Sequence, residues 1–483
     1  MSGVTIFWVR GWRGNNMLRS HALGTGENQI ELRFEQAAIA HDSQAEIDDD
    51  KPVYRPIQYL GNKLRSVSSI TEIAGDLLGA KGRFLDLFTG TSVVAQSLAN
   101  SGWKVTALDA QAYSYVMAHS LLGIGRKFNE SIPTDVILKA ALPDTLEPWF
   151  AHWETFAQME TAALGEGDYK RLGDLYRHLP LIWRGGEQNS QLNKTKLKIG
   201  EAAFYKVPLI TILQSGTYFG IRQSLEIDLL RNKIETAYSS RTISTWQKNA
   251  LLTGLMSAMS TAVHSAGKHF AQPLSAGRSE NFKFLCQRML QDRSVCIRSK
   301  FRNACEQISV TAHPRHDGHN ALQTTAEDFI ENSKSGFDVV YADPPYTAQQ
   351  YSRFYHLLET IVNYEFPDLY HNGSVTTGLY PTNRFKSAFC SKRSAKKAFH
   401  RLVSGTKQLD AHLIVSYSKS SAKSTGNSRM ISISDLLALC SQEFGDRNVE
   451  CVPLSHKYRQ FNSRGRANVD RDDPEVLIVC SAR

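Results

Sequence analysis

The run Asp343-Pro344-Pro345-Tyr346 places a carboxylate and an aromatic ring on a loop that two prolines stiffen. It directly follows the apolar stretch 337–341, which is typical of a buried strand. The Asp343 carboxylate and the Pro344 carbonyl are both acceptors, so a planar amine with two N–H donors would satisfy them together. When both hydrogens of an amine on an aromatic ring are hydrogen-bonded in this way, its lone pair is less delocalised into the ring, and the nitrogen becomes a better nucleophile. Tyr346 can stack on the ring that carries the amine. The run therefore predicts a site for an amine such as that of adenine, with a structural Pro-Pro turn as the alternative.

A second group of residues, Asp86 to Ser92, follows another apolar stretch. Gly90 permits close approach of the backbone to a ligand, and Asp86 can accept from an ammonium group. A pyrophosphate would require a glycine-rich turn, so this single-glycine motif favours a cationic, phosphate-free cofactor such as S-adenosylmethionine. Asp109, 23 positions after Asp86, stands where dinucleotide folds place an acidic residue on the ribose. Either aspartate alone could instead cap a helix.

These residues need a sheet to position them. Strands are predicted at 84–88 and 105–108 around a helix at 93–98, and this is a βαβ unit. Such alternation predicts an α/β fold with a mostly parallel, doubly wound sheet, whose ligands lie beyond the carboxyl ends of the strands. The further predicted strands are 337–341, 413–416, 450–454 and 475–480. The predicted helices include one that follows a turn at 61–62 and runs to about 78, and two more at 224–238 and 242–266.

The region from 126 to 320 lacks this alternation, and Gly90 and Asp343 are 253 positions apart, far more than two βα units require. We therefore predict four segments: a flexible leader over 1–50, the first part of the sheet domain over 51–125, an inserted and largely helical domain over 126–320, and the second part of the sheet domain over 321–483. Met17 is an alternative start. The insert contains a basic cluster of Lys283, Arg288, Arg293, Arg298, Lys300 and Arg302.

Composition limits the function classes. The 483 residues are 42% hydrophobic and 21% charged, as in ordinary globular proteins. A net charge of +9 favours a polyanionic partner such as nucleic acid, although a solvated basic surface is the alternative. Seven cysteines without a CxxC pair predict neither a disulfide framework nor a metal site. The apolar runs are too short for a membrane span, so a reducing, intracellular setting is expected.

Three further segments could serve a nucleic acid or be structural. Segments 386–401 and 456–466 are basic and could contact phosphates or form a solvated surface. Tyr351, Phe354 and Tyr355 could pack on a base or fill the core, and the core is favoured for two of the three. His356 is expected to be a helix residue rather than a catalytic base.

Together these motifs resemble the Dam-type, alpha-group family of adenine-specific DNA methyltransferases, the class with the Asp-Pro-Pro-Tyr motif. The resemblance covers about residues 54–125 and 321–483. Tyr59-Leu60-Gly61-Asn62-Lys63 resembles the motif that precedes the first strand, and the Asp86 and Asp343 motifs follow in the order of the alpha group. The resemblance implies a Rossmann-like, S-adenosylmethionine-dependent methyltransferase domain in which 126–320 is a target-recognition domain.

The resemblance also implies roles for individual residues. Tyr59, Gly61 and Lys63 would flank the methionine part of the cofactor, Asp86 would hold its amino group and Asp109 its ribose. Asp328-Phe329 resembles the adenine-binding motif, in which Asp328 would accept from the cofactor's amine and Phe329 would pack on its ring. The implied catalytic residues are Asp343, Pro344, Pro345 and Tyr346, and the implied cofactor-binding residues are Tyr59, Gly61, Lys63, Asp86, Phe88, Gly90, Asp109, Asp328 and Phe329.

The implied activity is methyl transfer to the exocyclic amine of adenine in double-stranded DNA, with the base flipped from the duplex and without a metal. The protein would be cytoplasmic and encoded by a bacterium or a phage. Its role would be restriction-modification, defence or phage protection, with a cognate restriction endonuclease as a further partner. Two alternatives remain open. One is a methyltransferase for RNA adenine or for the cytosine amine, and the other is a non-catalytic homologue that binds nucleic acid.

Overall fold

A computed structural model provides the three-dimensional structure of the chain. It describes residues 53–61, 63–144, 146–183, 207–274, 282–312, 318–333, 336–369, 371–372, 374–375, 378–418, 428–457 and 474–482. The predicted leader over 1–50 and residues 458–466 of the second basic segment lie outside these ranges. All elements given below lie within one compact unit, residues 47–483.

The strands form a seven-stranded sheet and a small two-stranded hairpin. In chain order they are β1 Arg83–Asp86, β2 Lys104–Asp109, β3 Asn320–Gln323, β4 Val339–Ala342, β5 His371–Asn372, β6 Ser374–Val375, β7 His412–Ser418, β8 Val449–Lys457 and β9 Pro474–Cys480. The order in the large sheet is β3-β2-β1-β4-β7-β9-β8. Neighbours from β3 to β7 are parallel, whereas β9 is antiparallel to both β7 and β8. The predicted α/β fold with a mostly parallel sheet is confirmed.

The helices cover the sheet and fill the region between β2 and β3. In chain order they are α1 Val67–Leu78, α2 Val93–Asn100, α3 Ala112–Leu121, α4 Thr134–Lys139, α5 Glu147–Glu166, α6 Tyr169–His178, α7 Leu209–Gln214, α8 Ile221–Ser239, α9 Thr245–Ala262, α10 Phe282–Arg293, α11 Ile297–Thr311, α12 Ala326–Asn332, α13 Tyr351–Phe354, α14 His356–Asn363, α15 Ala395–Gln408 and α16 Ile433–Phe444.

The central strands are buried on both faces, which explains their apolar sequences. Every residue of β4 and β7 is buried, as in parallel sheets that are covered by helices. Strand β3 was not predicted. It is a four-residue edge strand in which only Ala321 is buried, so it lacks the apolar run by which the other strands are recognised. Strand β8 extends beyond the predicted 450–454, with an irregularity between Pro453 and Lys457.

Between α3 and β3 the described elements are helices α4 to α11 and short 3-10 turns. Helix α9 is the centre of this region: it begins with a capping box of Ser244 and Gln247 and is buried on nearly every side. Its side chains, including Trp246, share one hydrophobic cluster with Tyr113 and Met117 of α3. The helical region is therefore continuous in packing with a helix of the sheet domain. Its predicted role as a separate domain with boundaries at 125 and 320 stays a prediction.

Among the residues that the structure describes, no helix is long and apolar enough to cross a membrane.

Candidate active site

Three aspartates meet at the carboxyl ends of neighbouring strands. Asp86 is the last residue of β1, Asp109 ends β2, and Asp343 follows β4. Because β1 lies between β2 and β4 in the sheet, Asp86 is flanked in register by Ala107 and Tyr341. The structure thus brings the predicted residues of two separate sequence motifs to one edge of the sheet, at the position where ligands bind in doubly wound folds.

A cleft opens at this edge. Its walls come from the ends of β1, β2 and β3, from the loop after β4 and from a loop before α15. Its lining residues are Tyr59, Leu60, Leu87, Phe88, Asp109, Ala110, Gln111, Thr325, Ala326, Glu327, Asp343, Pro345, Gln350, Tyr351, Ser352, Phe385 and Ser387. Most predicted cofactor and catalytic motifs therefore contribute to a single cleft.

Tyr59, Gly61 and Gly90 form a close-packed part of this site. The Tyr59 ring stacks on Tyr355, with ring centroids 4.6 Å apart. Gly90 has a φ of +50°, and a Cβ atom there would lie 3.0 Å from the Tyr59 ring. A Cβ atom on Gly61, whose φ is +72°, would lie 2.9 Å from the Tyr351 hydroxyl. Both glycines are therefore required by backbone conformation and by close approach of an aromatic side chain.

Asp86 and Asp109 lie deep in the site. Asp109 accepts from the amides of Gly90 at 3.1 Å and Gln111 at 3.0 Å, which fixes the loop after β1. Asp86 is only 1% exposed, and its Oδ1 has no hydrogen-bond partner among the described residues. Burial raises the pKa of Asp86 to about 7 and that of Asp109 to about 6. A buried acceptor without a donor is suited to a cationic ligand.

Lys63 contacts two carboxylates. Its Nζ lies 3.1 Å from Asp343 Oδ1 and 3.2 Å from Glu475 Oε1. Burial disfavours the Lys63 ammonium, but the two carboxylates outweigh this penalty and hold the pKa of Lys63 well above its usual value. Burial raises the pKa of Asp343 to about 6 against the opposing effect of Lys63, and Glu475 adds to the rise. The predicted cofactor residue Lys63 thus directly contacts the predicted catalytic carboxylate.

The predicted adenine-binding pair, Asp328 and Phe329, is not among the residues that line the cleft. Helix α12 begins after Thr325, whose hydroxyl accepts from the amide of Asp328, and the Asp328 side chain is exposed. Phe329 packs on Phe337, at a centroid distance of 5.9 Å. Glu327 lines the cleft instead, and burial raises its pKa. The structure therefore places the neighbouring acid, one residue earlier, in the lining of the cleft.

Tyr346 is buried, with 8% of the residue exposed. Its ring lies 5.2 Å from Tyr417 of β7, and the Arg429 guanidinium lies 5.0 Å from the ring centroid. Arg429 also donates to the Ser418 carbonyl at 3.0 Å and to its hydroxyl at 2.8 Å. Pro344 is buried and Pro345 lines the cleft. The aromatic ring of the motif is thus covered by a cation that the sequence analysis did not single out.

The segment after the motif divides as expected between core and cleft. Phe354 and Tyr355 are buried, whereas Tyr351 lines the cleft. His356 is buried, and its Nε2 lies 2.8 Å from the carbonyl of Phe270. Burial lowers the pKa of His356 to about 4, so its ring is neutral at physiological pH. These contacts agree with a structural role for His356.

Four arginines of the basic cluster in the helical region bond within the protein. Arg293 donates to the carbonyls of Tyr218 and Thr217, both at 3.0 Å. The others have partners as well: Arg288 donates to the carbonyl of Ser265, Arg298 to that of Leu138, and Arg302 to the carboxylate of Asp135. This part of the cluster stabilises the helical region.

The basic segment beside the cleft is different. Lys386, Lys392, Arg393 and Lys396 are exposed, and none of them forms an ion pair within the described ranges. Phe385, next to Lys386, is 39% exposed at the rim of the cleft, and its carbonyl accepts from the Ser352 hydroxyl at 2.6 Å. This segment presents cations to solvent next to the site.

Two acidic residues of the site were missed from sequence. Glu475 is 412 positions from its partner Lys63, so no local pattern indicates that the two meet. Glu359 of α14 accepts from the amides of Ala112 and Tyr113 at the start of α3, and so orients the helix that follows Asp109. Both act across distant parts of the chain, where spacing in the sequence carries no signal.

The sheet order and the cleft at its carboxyl edge define the fold of S-adenosylmethionine-dependent methyltransferases. Within that class, the model of the D12 class N6 adenine-specific DNA methyltransferase family matches residues 59–141 and 294–412. The match includes the motifs at Tyr59, Asp86 and Asp343, and it confirms the family resemblance that these motifs indicated. It also extends past the predicted boundaries at 125 and 320, to include α4 and α11.

Individual relatives are similar at low identity. The chain is 23% identical to Type II methyltransferase M.FokI of Planomicrobium okeanokoites over 363 residues, which are 75% of this chain and 44% of the relative. It is 22% identical to modification methylase StsI of Streptococcus sanguinis over 409 residues, 84% of this chain and 49% of the relative. For Type II methyltransferase M.NlaIII of Neisseria lactamica, the identity is 26% over 380 residues, 78% of this chain and 87% of the relative. The chain thus spans about half the length of the first two relatives.

Proposed function

We propose that the protein is a site-specific DNA methyltransferase that transfers a methyl group from S-adenosylmethionine to the exocyclic amine of adenine in double-stranded DNA. The observation that carries the proposal is the Asp343-Pro344-Pro345-Tyr346 loop at the end of β4, beside a cleft built from the Asp86 and Asp109 strands. The similarity to adenine-specific DNA methyltransferases supports the same activity.

The residues at the sheet edge fit the cofactor that we propose. The buried Oδ1 of Asp86 can accept from its ammonium group, and Asp109 can hold its ribose. Gly90 leaves room for the Tyr59 ring, which lines the cleft. Glu327, rather than Asp328, is the acid that we assign to the adenine end, because it lines the cleft. When bound, S-adenosylmethionine supplies an electrophilic methyl group.

The target amine would be held by the loop after β4. The Asp343 carboxylate and the Pro344 carbonyl accept its two hydrogens, so the nitrogen can pyramidalise and the charge that develops on it is stabilised. The amine cannot reach this loop while the base is stacked in a duplex, so the base is flipped out. Stacking on Tyr346 requires the Arg429 guanidinium to leave the ring, and a phosphate of the extruded nucleotide is a suitable new partner for it.

We assign target recognition to the helical region, with boundaries that differ from the sequence-based expectation. Helices α4 and α11 lie within the part of the chain that matches the family model, whereas residues 142–293 do not. The segment between them is the part that can vary between enzymes with different targets. The biological setting that we propose is restriction-modification or phage protection, with a cognate restriction endonuclease as a further partner.

A methyl-transfer assay tests this function. Purified protein is incubated with isotopically labelled S-adenosylmethionine and, separately, duplex DNA, single-stranded DNA and RNA, and the nucleosides are then separated. We expect label in N6-methyladenine from duplex DNA, and none with Asp343→Ala. Label in methylcytosine or only in RNA would reassign the substrate, and binding of the cofactor without transfer to any of them would favour a non-catalytic homologue.

A further inference from the structure

Glu475 is a buried carboxylate at the site that belongs to none of the recognised motifs. It lies near the start of β9, which runs antiparallel to β7, and it is paired in register with Ser418. Because β9 is reversed, its first residues lie at the edge where the parallel strands end. The Glu475 side chain is 8% exposed, so its negative charge must be balanced inside the protein.

The balancing charge is Lys63, which Glu475 shares with Asp343. The Lys63 ammonium donates to Glu475 Oε1 at 3.2 Å and to the carbonyl of Gly61 at 3.3 Å, and it lies 3.1 Å from Asp343 Oδ1. An ammonium group has three hydrogens, so these three acceptors account for all of them. The Ser66 hydroxyl donates to the other oxygen of Glu475 at 3.5 Å. The result is a buried carboxylate-ammonium-carboxylate chain that carries one net negative charge.

That net charge is suited to a carboxylate that must accept a further hydrogen bond. If Lys63 had Asp343 as its sole carboxylate partner, the pair would be neutral and the ammonium would compete with a target amine for the acceptor. With Glu475 as a second carboxylate partner, the Lys63 ammonium is shared between two acceptors and is held on one side of Asp343. We propose that Glu475 is a positioning residue for Asp343, acting through Lys63. This inference rests on the proposed function, because it assumes that Asp343 accepts from the target amine.

The charged groups around Asp343 predict how its pKa changes when the charge of Glu475 is removed. Lys63 and Glu475 contact it as one chain, Asp86 faces it from β1, and the hydroxyls of Tyr341 and Tyr346 are nearby. The Tyr341 hydroxyl is neutral, since burial raises the pKa of Tyr341 well above its usual value. Of the charged groups, Glu475 raises the pKa of Asp343 and Lys63 lowers it. Removal of the Glu475 charge should therefore move ionisation of Asp343 to lower pH.

The test compares wild type, Glu475→Gln, Glu475→Asp and the control Glu450→Gln, which changes an exposed residue on the adjacent strand β8. For Glu475→Gln we expect kcat to fall by roughly tenfold or more, as for loss of a hydrogen bond to a charged group, with KM for DNA unchanged. The acid limb of the kcat profile should move to lower pH. Glu475→Asp keeps the charge and should return the acid limb of the kcat profile to its wild-type position. Glu450→Gln should behave as wild type.

A second measurement does not depend on catalysis. The pKa of Asp343 is read by NMR of protein labelled with ¹³C in the aspartate carboxyl groups, and the Asp343→Asn spectrum assigns the resonance. A lower Asp343 pKa in Glu475→Gln supports the inference even if wild type methylates no adenine, in which case the proposed function alone fails. An unchanged Asp343 pKa overturns it. So does a parallel loss of kcat and thermal stability without a shift of the acid limb, because that indicates a structural role.

Discussion

The edge of the sheet and the helical region between α3 and β3 both contain buried carboxylates. The two regions differ in how many hydrogen-bond donors the protein provides for them. In the helical region, Asp228 accepts from the amides of Ile210 and Thr211 and from the hydroxyls of Thr211 and Tyr364. At the sheet edge, Asp86 keeps an oxygen without a hydrogen-bond partner in the described structure. Complete satisfaction stabilises a fold, whereas an acceptor without a donor is available to a ligand.

The basic residues show the same contrast. Arginines of the helical region bond to carbonyls and carboxylates of their own fold, whereas Lys392 and Lys396 beside the cleft are exposed. A cluster of cations in the sequence therefore does not identify the surface that meets phosphates. What distinguishes the two regions is whether the protein already provides partners for the charges.

The largest expected effect compares two aspartates whose pKa burial raises to about 6, Asp343 and Asp228. Asp343→Ala should lower kcat by at least about a hundredfold, because it removes an acceptor aimed at the developing charge, with little change in stability. Asp228→Ala should leave kcat per folded molecule unchanged but lower the free energy of unfolding by roughly 3 kcal/mol or more, because buried donors lose their acceptor. Kinetics and denaturant unfolding of both variants measure this contrast. Equal effects of the two substitutions on kcat would contradict it.

The pH dependence of stability gives the next effect. Burial raises the folded-state pKa of Asp86 to about 7, from an ordinary value of 3.8. The stabilising contribution of such a group is complete below its unfolded pKa and is lost as the pH rises through its folded pKa. Asp86→Asn should therefore be more stable than wild type at pH 8 by roughly 4 kcal/mol, the free energy that corresponds to a rise in pKa of about 3. The gain should disappear near pH 4. Urea unfolding at both pH values measures it, and a variant that is less stable at pH 8 would show that Asp86 supports the fold.

Sequence alone predicted six of the seven strands of the sheet and the convergence of the three aspartates, because βα alternation and apolar runs are local signals. Contacts between distant segments were not predictable in this way. Arg293 bonds to the carbonyl of Tyr218, 75 positions away, so its spacing in the sequence was open to interpretation as a phosphate contact. The assignment of Asp328 to the adenine of the cofactor stays a prediction, but Glu327 and not Asp328 lines the cleft. Successive helical residues point about 100° apart, so an error of one residue in position moves the side chain off the cleft.

A smaller effect separates the two basic regions directly. Lys392→Ala with Lys396→Ala should weaken binding to all duplex sequences and reduce the slope of log K against log salt by about 2, if both contact phosphates. Arg293→Ala should leave that slope unchanged and lower the free energy of unfolding by about 2 kcal/mol, since the hydrogen bonds that Arg293 donates to the carbonyls of Tyr218 and Thr217 are lost. Fluorescence anisotropy over a salt series, with thermal unfolding in parallel, measures both. A reduced slope for Arg293→Ala would mean that the helical region does meet the phosphates.

The smallest effect concerns neighbouring acids on α12. Glu327 lines the cleft, where burial raises its pKa, whereas the Asp328 side chain is exposed to solvent. Glu327→Gln keeps the shape of the side chain but replaces one of its two acceptor oxygens with a donor. It should weaken binding of S-adenosylmethionine by roughly tenfold, the loss of about one hydrogen bond. Asp328→Asn, the matched control one residue away, should bind as wild type. Isothermal titration of both variants measures this, and the reverse result would restore the motif assignment made from sequence. Because we assign Glu327 to the cofactor, the KM for DNA should be the same in both variants, so a change in DNA binding would place this acid at the target base instead.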